Sequence, residues 1–479
     1  MGSLAIPHSE HVVVIVPPAG LLPVLSALAG IGRPRFVGGC VRDAILGVPC
    51  TDLDVEVSGC NFDQLARTLR QFGSTDVVGR SFGTVKLNLD GQWYDFSLPR
   101  RESKTGQGHR GFKIEADAAL NSTEAAARRD FTINAMAWDP VEQILIDPFH
   151  GKEDLAQGVL RHTSTAFTED PLRVLRAMQL ASRFNLSMAP ETVQLCRSIS
   201  DTFSELPLER VWGEWDKWAR LSEKPSRGLR LLHETNWLRH FPEIAQLVDT
   251  PQDPTWHPEG DAFEHTLHCL DALVSLNGWL TRKADTRRTL MFAVLAHDFG
   301  KPSTTFQKER EGQLRWVSPG HAAAGCPLAE SWLARIGAPT RFAPIVVPLV
   351  HHHMAHHGNG NHPPSDSHLR RLARKLVPAT VAELVMVMRA DAMGRPPRND
   401  AHVAELIDYV EQRTRTLALE DQAPEPILQG RHLIPRGIPP GPVFKPILHA
   451  AFEAQLEGDF HDETGAMHWL DSHLKRNQK

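Results

Sequence analysis

Phe36-Val37-Gly38-Gly39-Cys40-Val41-Arg42-Asp43, followed nine residues later by Asp52-Leu53-Asp54, decides how this chain folds and what chemistry it can do. An apolar strand ends in two glycines, which permit a tight turn and let backbone N–H groups approach a triphosphate closely. Arg42, near the start of the next helix, adds a fixed positive charge. Asp52 and Asp54 then open the β-rich stretch Asp54-Val55-Glu56-Val57, and their spacing sends both carboxylates to one face of a strand. Paired carboxylates can share Mg²⁺ ions, which activate an attacking 3′-hydroxyl and neutralise a departing pyrophosphate. A lone Gly-Gly is usually a turn, and a lone Asp-x-Asp a solvated loop or a cap. In this order, with Arg42 between them, they serve no core and point to nucleotidyl transfer.

Composition bounds the rest. The 479 residues, 41% of them hydrophobic, suffice for about two to four domains with sizeable cores. A formal net charge of −5 leaves no global electrostatic footprint for nucleic acid, so any RNA contact has to come from local basic patches. Cys40, Cys50, Cys60, Cys196, Cys269 and Cys326 form no C-x-x-C pair, which fits free thiols in a reducing compartment. The apolar run over 12–16 is cut by Pro17-Pro18 and has no basic segment before it, so no signal peptide is expected. No stretch approaches the ~18 apolar residues of a membrane span. A cytoplasmic protein without membrane contact is expected. The 25 histidines fall mostly after residue 230, which suggests a second site built from imidazoles.

Along the chain, residues 1–34 read as an extension with a short strand and a helix over about 21–29 ended by Gly30. Residues 35–155 have an α/β texture, in which Val85, Leu87 and Leu89 alternate with polar neighbours and Asp90-Gly91 turns the chain into a hairpin. Asp95 in the second strand of that hairpin is either a third acidic group near Asp52 and Asp54 or a solvent-facing strand position. From 156 onward, amphipathic stretches predict helices throughout: 156–250, then 251–400 beyond a Pro-marked boundary at 251–258, then 401–479.

Three further stretches carry chemistry. Arg128-Arg129-Asp130-Phe131-Thr132-Ile133-Asn134 brings arginine forks suited to phosphates together with groups suited to sugar hydroxyls, although Asp130 could equally cap a helix. Glu169-Asp170-Pro171-Leu172-Arg173-Val174-Leu175-Arg176 reads as the opening of a helix with Glu169, Arg173 and Arg176 on one face, a pattern that salt bridging alone could explain. Between them, residues 100–111 form a basic, Gly-rich loop long enough to be functional. In the histidine-rich half, Ala296-His297-Asp298-Phe299-Gly300-Lys301 ends an apolar run, and adjacent His and Asp make a bridging pair for a divalent metal.

The head stretch resembles the signature of class II tRNA nucleotidyltransferases, the CCA-adding enzymes and bacterial poly(A) polymerases of the polymerase-β-like superfamily, over about residues 35–400. The resemblance implies an α+β chain: a polymerase-β-like nucleotidyltransferase head (35–155), an all-α neck and body (156–250) and an α-helical HD domain (251–400). It implies catalysis and Mg²⁺ at Asp52 and Asp54 with Asp95, and nucleotide contacts from Gly39, Arg42, Arg129, Asp130, Asn134, Glu169, Asp170, Arg173 and Arg176. Asp170 and Arg173 match an E-D-x-x-R motif that reads the incoming base as a protein template; where many relatives continue with another arginine, this chain has Gln179. The loop over 100–111 matches the flexible loop that switches such enzymes from adding C to adding A, and Glu205-Leu206-Pro207-Leu208-Glu209-Arg210-Val211-Trp212 resembles their neck element.

His265, His297, Asp298, His321, His351 and Asp391 follow the order of the HD phosphohydrolases, with His351 chosen from His351-His352-His353 by analogy. Together with Trp256-His257-Pro258-Glu259-Gly260, this suggests the multifunctional bacterial type, with phosphatase and 2′,3′-cyclic phosphodiesterase activity supported by a transition metal such as Ni²⁺ or Mn²⁺. The expected function is addition of CCA to tRNA 3′ ends from CTP and ATP, with acceptor stem and elbow recognised by shape and no protein partner identifiable. Two alternatives stand beside it. One is a poly(A) polymerase or A-only adding enzyme, which Val78-Gly79-Arg80-Ser81-Phe82-Gly83, lacking a doubly basic run, disfavours. The other is an HD phosphohydrolase with a nucleotide-sensing head, which the intact Asp52, Asp54, Arg129 and Arg173 oppose.

Overall fold

The computed structural model describes residues 15–50, 52–77, 83–104, 112–116, 120–358, 362–398 and 400–476, and the chain divides into two compact units, Met1–His240 and Phe241–Lys479.

The first unit is built on a seven-stranded sheet, drawn from β1 (Arg33–Val37), β2 (Asp54–Ser58), β3 (Ser74–Val77), β4 (Thr84–Leu89), β5 (Gln92–Ser97), β8 (Ala137–Asp139) and β9 (Ile144–Ile146). Their spatial order is β3-β4-β5-β2-β1-β8-β9. Alternation makes most of these strands: Val55, Val57, Val85, Leu87, Tyr94 and Phe96 are buried while their strand neighbours are more exposed. The β4–β5 hairpin closes at Asp90 and Gly91, whose φ values of 52° and 88° are those of the expected two-residue turn. Helices Leu22–Ala29 and Phe62–Leu69 pack against β1 and β4, the second opened by a reciprocal cap between Asn61 and Gln64. The expected loop over 100–111 is shorter than its composition suggested. Strands β6 (Arg100–Lys104) and β7 (Phe112–Ala116) pair as a second hairpin, the apolar alternation of 112–116 supplying the strand signal. Residues 105–111, and residues 78–82 of the poly(A)-discriminating stretch, lie outside the described residues.

After the sheet in the chain, helices Leu172–Phe184, Leu208–Leu221 and Pro225–Glu234 pack on one another, with Trp215, Trp218 and Trp237 buried. Their approach is close: a Cβ on Gly228 would meet Ser182 Oγ at 2.4 Å and Met178 O at 2.5 Å.

The second unit packs helices Ala262–Ser275, Ala284–Ala296, His321–Arg335, Ala343–His352, Val381–Met393 and Ala401–Thr416 around an apolar centre that includes Leu290, Phe292, Trp332 and Leu384. Among the described residues, the hairpin Phe306–Arg310 with Gln313–Val317 departs from the all-helical expectation. That hairpin turns at Glu311 and Gly312 with φ 53° and 77°, the geometry of the Asp90-Gly91 turn reached with a less favoured first residue. Helices Phe444–Glu457 and Glu463–Arg476 close a small separate core around Leu433, Phe460 and Leu470.

Candidate active sites

In the first unit a cleft of about 750 Å³ runs between the sheet and the helix Leu172–Phe184. Gly38 enters it with φ 78°, a left-handed conformation that glycine adopts freely. A Cβ there would stand 2.9 Å from Arg129 Nη1, so a side chain would displace the arginine tip as well as strain the turn. Gly39 opens the helix Gly39–Ile45. Arg42, one turn on, is buried; its Nε and Nη2 donate to Asp43 Oδ1 (2.8 and 2.6 Å) and its Nη1 to Asn134 Oδ1 (2.6 Å). Asn134 donates to Asp130 Oδ1 (3.0 Å), and Asp130 Oδ2 accepts from Arg176 Nε (2.7 Å). Burial works to raise Asp130, but Arg176 and Asn134 bring it down to about 2. These four residues therefore form one chain of charge-assisted hydrogen bonds along the cleft wall. Asp130 caps no long helix; both its oxygens are committed to this chain.

Opposite, burial of Leu53, Val55 and Val57 leaves Asp52, Asp54 and Glu56 on the other face. The strand begins at Asp54, so Asp52 precedes it, at the edge of the cleft rather than in its lining. Parallel pairing of β2 with β5 sets Asp54 beside Asp95, and Asp54, Glu56 and Asp95 line the cleft together. Lys86 Nζ is 3.1 Å from Asp95, and Arg129 is 3.6 Å from Glu56. Asp54 opens to the cleft, yet the surrounding walls thin its water. This desolvation and the charge of Asp52 lift its carboxyl to about 6, with Arg129 opposing and Asp95 adding to the rise. Carboxylates crowded in this way fit a divalent cation, which would relieve their repulsion.

The expected common face for Glu169, Arg173 and Arg176 is corrected. The helix runs Leu172–Phe184 with Pro171 at its N-cap, and the residue before a proline is held extended: Asp170 has φ −119° and ψ 101°. Glu169 therefore ends a separate turn, Thr165–Glu169, and pairs with Arg128 at 2.9 Å. Asp170 accepts from Leu172 N (3.1 Å) and from Arg210 Nη2 (2.8 Å). Arg173 donates to the carbonyls of Ala166 (3.0 Å) and Arg128 (2.7 Å). Gln179 lines the same cleft with its Oε1 buried and without a hydrogen bond. Glu56 and Arg210 were not anticipated as site residues.

The second unit gathers its histidines at a cavity of about 390 Å³. His265, Cys269, His297 and Asp391 form one group with ligand atoms within 4.8 Å of one another, and Asp298, His321 and His353 form another. The Nδ1 atoms of His297, His321 and His353 lie 2.7, 2.8 and 2.7 Å from the carbonyls of Val294, Ser318 and Val350. Each ring is thus anchored at Nδ1 and aims its Nε2 inward. His265 is held by Glu259 at Nδ1 (2.7 Å) and faces Asp391 with Nε2 (3.1 Å). His297 Nε2 and Asp298 Oδ2 lie 3.1 Å apart, and Lys301 Nζ is 2.6 Å from that oxygen, yet neither buried atom has hydrogen-bond geometry satisfied. Burial pushes His353 down to about 3, with His297 and His321 adding to the fall; it also works to raise Asp298, which His297 and Lys301 nevertheless hold well below the usual carboxylate range. An orphaned inward-facing imidazole nitrogen beside an orphaned carboxylate oxygen fits a metal ion.

His351 does not join this cluster. It is exposed, edge-to-face with His352, while His353 is buried among the ligands. The reason is helical: Val346, Leu349 and Val350 are the buried positions of Ala343–His352, and that stripe continues to 353, not 351.

Comparison with known proteins matches residues 34–161 to the poly A polymerase head domain, 185–247 to the probable RNA- and SrmB-binding site of polymerase A, and 260–437 to the Cas3 HD domain. The multifunctional CCA protein of Nitrosococcus oceani is 35% identical over 368 residues, 76% of this chain and 80% of that protein. The multifunctional CCA protein of Laribacter hongkongensis is 35% identical over 371 residues, 77% and 82%.

The chain belongs to the multifunctional CCA protein family.

The fold agrees with that membership. The Thermotoga maritima CCA-adding enzyme complexed with tRNA_CCA superposes with a TM-score of 0.60 at 19% identity, covering 97% of each chain. The Bacillus stearothermophilus CCA-adding enzyme in complex with CTP gives 0.61 at 21%, covering 96% of this chain and 99% of that one. The head and HD domain types together imply use of divalent metal ions. Among the described residues no helix is long and apolar enough to cross a membrane.

Proposed function

We propose that the chain adds C, C and A from CTP and ATP to the 3′ ends of tRNA in the cytoplasm, and that its second unit hydrolyses phosphoesters, 2′,3′-cyclic ones among them. The observation that carries the first reading is the register of β2 on β5, which brings Asp54 against Asp95 beneath a wall of arginines. Mg²⁺ held by Asp52 and Asp54 with Asp95 would supply activation of the tRNA 3′-hydroxyl and neutralise the pyrophosphate. The residues do the rest. Gly38 and Gly39 give the phosphates close approach to backbone N–H groups. Arg129 neutralises phosphate charge, while Arg42, Asn134, Asp130 and Arg176 hold one another rigid and present a fixed surface for sugar and phosphate. Asp170 and Arg173 offer hydrogen-bond edges to the base, C or A; a wrong base leaves those edges unpaired. Glu169 acts at one remove, by fixing Arg128.

For the second site, a transition metal such as Ni²⁺ or Mn²⁺ on His265, His297, Asp298, His321, His353 and Asp391 would supply an activated water. Water oxygen joins phosphorus, the bond to one ribose oxygen breaks, and that oxygen takes the proton. Lys301 and Arg395, each beside a ligand carboxylate, hold the ligands ionised. The deciding experiment is terminal transfer to a tRNA lacking CCA, with CTP and ATP supplied singly and together: C from CTP alone and full CCA from both are expected. Incorporation of A alone, or none, would overturn the reading.

A further inference from the structure

The cavity that holds the metal-ligand cluster has a second wall that hydrolysis of a bare phosphate does not require. Trp256, Arg310, Arg315 and Trp316 line it together with Asp298, His321, His353 and Asp391. Arg310, Arg315 and Trp316 come from the hairpin Phe306–Arg310 with Gln313–Val317, whose base is closed by Thr305 Oγ1 and Ser318 Oγ at 2.8 Å. The hairpin is tethered across the cavity: Arg315 Nη1 donates to Thr255 Oγ1 (3.3 Å) and lies 3.6 Å from Asp253. Trp256 remains 48% exposed. Arg398 covers one face of its ring at 4.3 Å and is itself fixed by Thr255 O (2.8 Å) and Asp400 (2.7 Å). The acidic groups of this wall, Asp253 and Asp400, are thus engaged in orienting arginines. Two indoles and two guanidiniums at one cavity are the residue types that stack bases and hold phosphodiesters.

Resting on the phosphohydrolase reading above, we propose that Trp256, Trp316, Arg310 and Arg315 are specificity-determining residues of the second site, which make it prefer a cyclic phosphate that carries a base over one that does not. Trp256 and Trp316 stack the base, and Arg310 and Arg315 meet the phosphate on its 5′ side when the end belongs to an RNA. The hairpin is a positioning and specificity element; the bond-breaking groups stay with the histidine cluster.

The test uses the full chain with Mn²⁺ or Ni²⁺ and three substrates: adenosine 2′,3′-cyclic phosphate, a trinucleotide with the same end, and glycerol 1,2-cyclic phosphate, which has no base. Wild type should favour the adenosine compound over the glycerol compound by about tenfold or more in kcat/KM, as stacking of one base supplies. Trp316→Ala should remove that preference through KM while leaving glycerol 1,2-cyclic phosphate turnover unchanged, and Trp316→Phe should restore it. Arg310→Ala should weaken the trinucleotide severalfold and spare the mononucleotide. Equal losses on all three substrates, or no loss, would overturn the proposal. If wild type turns over none of them, the hydrolase reading fails on its own. Binding of adenosine 3′-phosphate then decides the wall: saturable and lost in Trp316→Ala supports it, and indifferent to Trp316→Ala refutes it.

Discussion

The two sites of this chain are organised in opposite ways. In the histidine cavity the chain supplies a convergent set of imidazoles and carboxylates, each oriented by a backbone carbonyl or a charged neighbour. In the head cleft the cationic wall is the organised part, locked through Arg42, Asn134, Asp130 and Arg176, while the carboxylates crowd with a raised Asp54. Mg²⁺ is usually held by one or two carboxylates plus substrate phosphates, whereas imidazole-rich cages suit transition metals and need no substrate to complete them. One site is thus built to be finished by its nucleotide, the other by its metal.

That contrast can be broken most sharply at the carboxylates. Asp52→Asn or Asp54→Asn should lower incorporation of both C and A by about a thousandfold or more with tRNA binding retained, because a metal ligand is lost rather than an RNA contact. Retention of more than about a tenth of wild-type turnover would remove the metal assignment. In the second site, His353→Ala should cost about 10–100-fold in metal affinity and in hydrolysis, while His351→Ala should match wild type. The reverse ranking, measured by metal titration, would restore His351 as the ligand.

Base choice comes next in size. Asp170→Ala or Arg173→Ala should relax discrimination against UTP and GTP, and Arg210→Ala, which removes the partner of Asp170, should do so more weakly. An unaltered nucleotide preference in all three would deny this helix a template role. The smallest effect concerns stability. Asp130 falls from an ordinary 3.8 to about 2 in the fold, so its contribution is present above 3.8 and lost as pH drops toward 2, on the order of 2 kcal/mol. Asp130→Asn should lower stability near neutrality and flatten the acid dependence between pH 4 and 2; an unchanged acid profile in chemical denaturation would refute the pairing.

Much of this was legible in the sequence, for local reasons. The two glycines, the alternation that sets Asp54 opposite buried Leu53 and Val55, and the Asp90-Gly91 hairpin all depend on neighbours. The rule that a residue before proline stays extended was available for Asp170 and would have separated Glu169 from Arg173. The apolar stripe through Val346 and Val350 pointed to His353, but an almost uninterrupted apolar run hid its period. Glu311-Gly312 signalled a hairpin that the surrounding helices obscured. The proximity of Asp95 to Asp54 stood only as one of two alternatives, because a parallel register between distant strands leaves no local trace to choose between them. The Arg210–Asp170 pair, 40 residues apart in sequence, depends on helix packing in the same way.

The central claim is that the two chemistries are separable. The measurement is both activities on both variants: CCA addition and 2′,3′-cyclic nucleotide hydrolysis by Asp54→Asn and by His297→Ala with Asp298→Ala, with Mg²⁺, Mn²⁺, Co²⁺ and Ni²⁺ in turn. Asp54→Asn should abolish addition and keep metal-dependent hydrolysis, and the double variant should do the reverse. Loss of both activities in either folded variant would contradict the account.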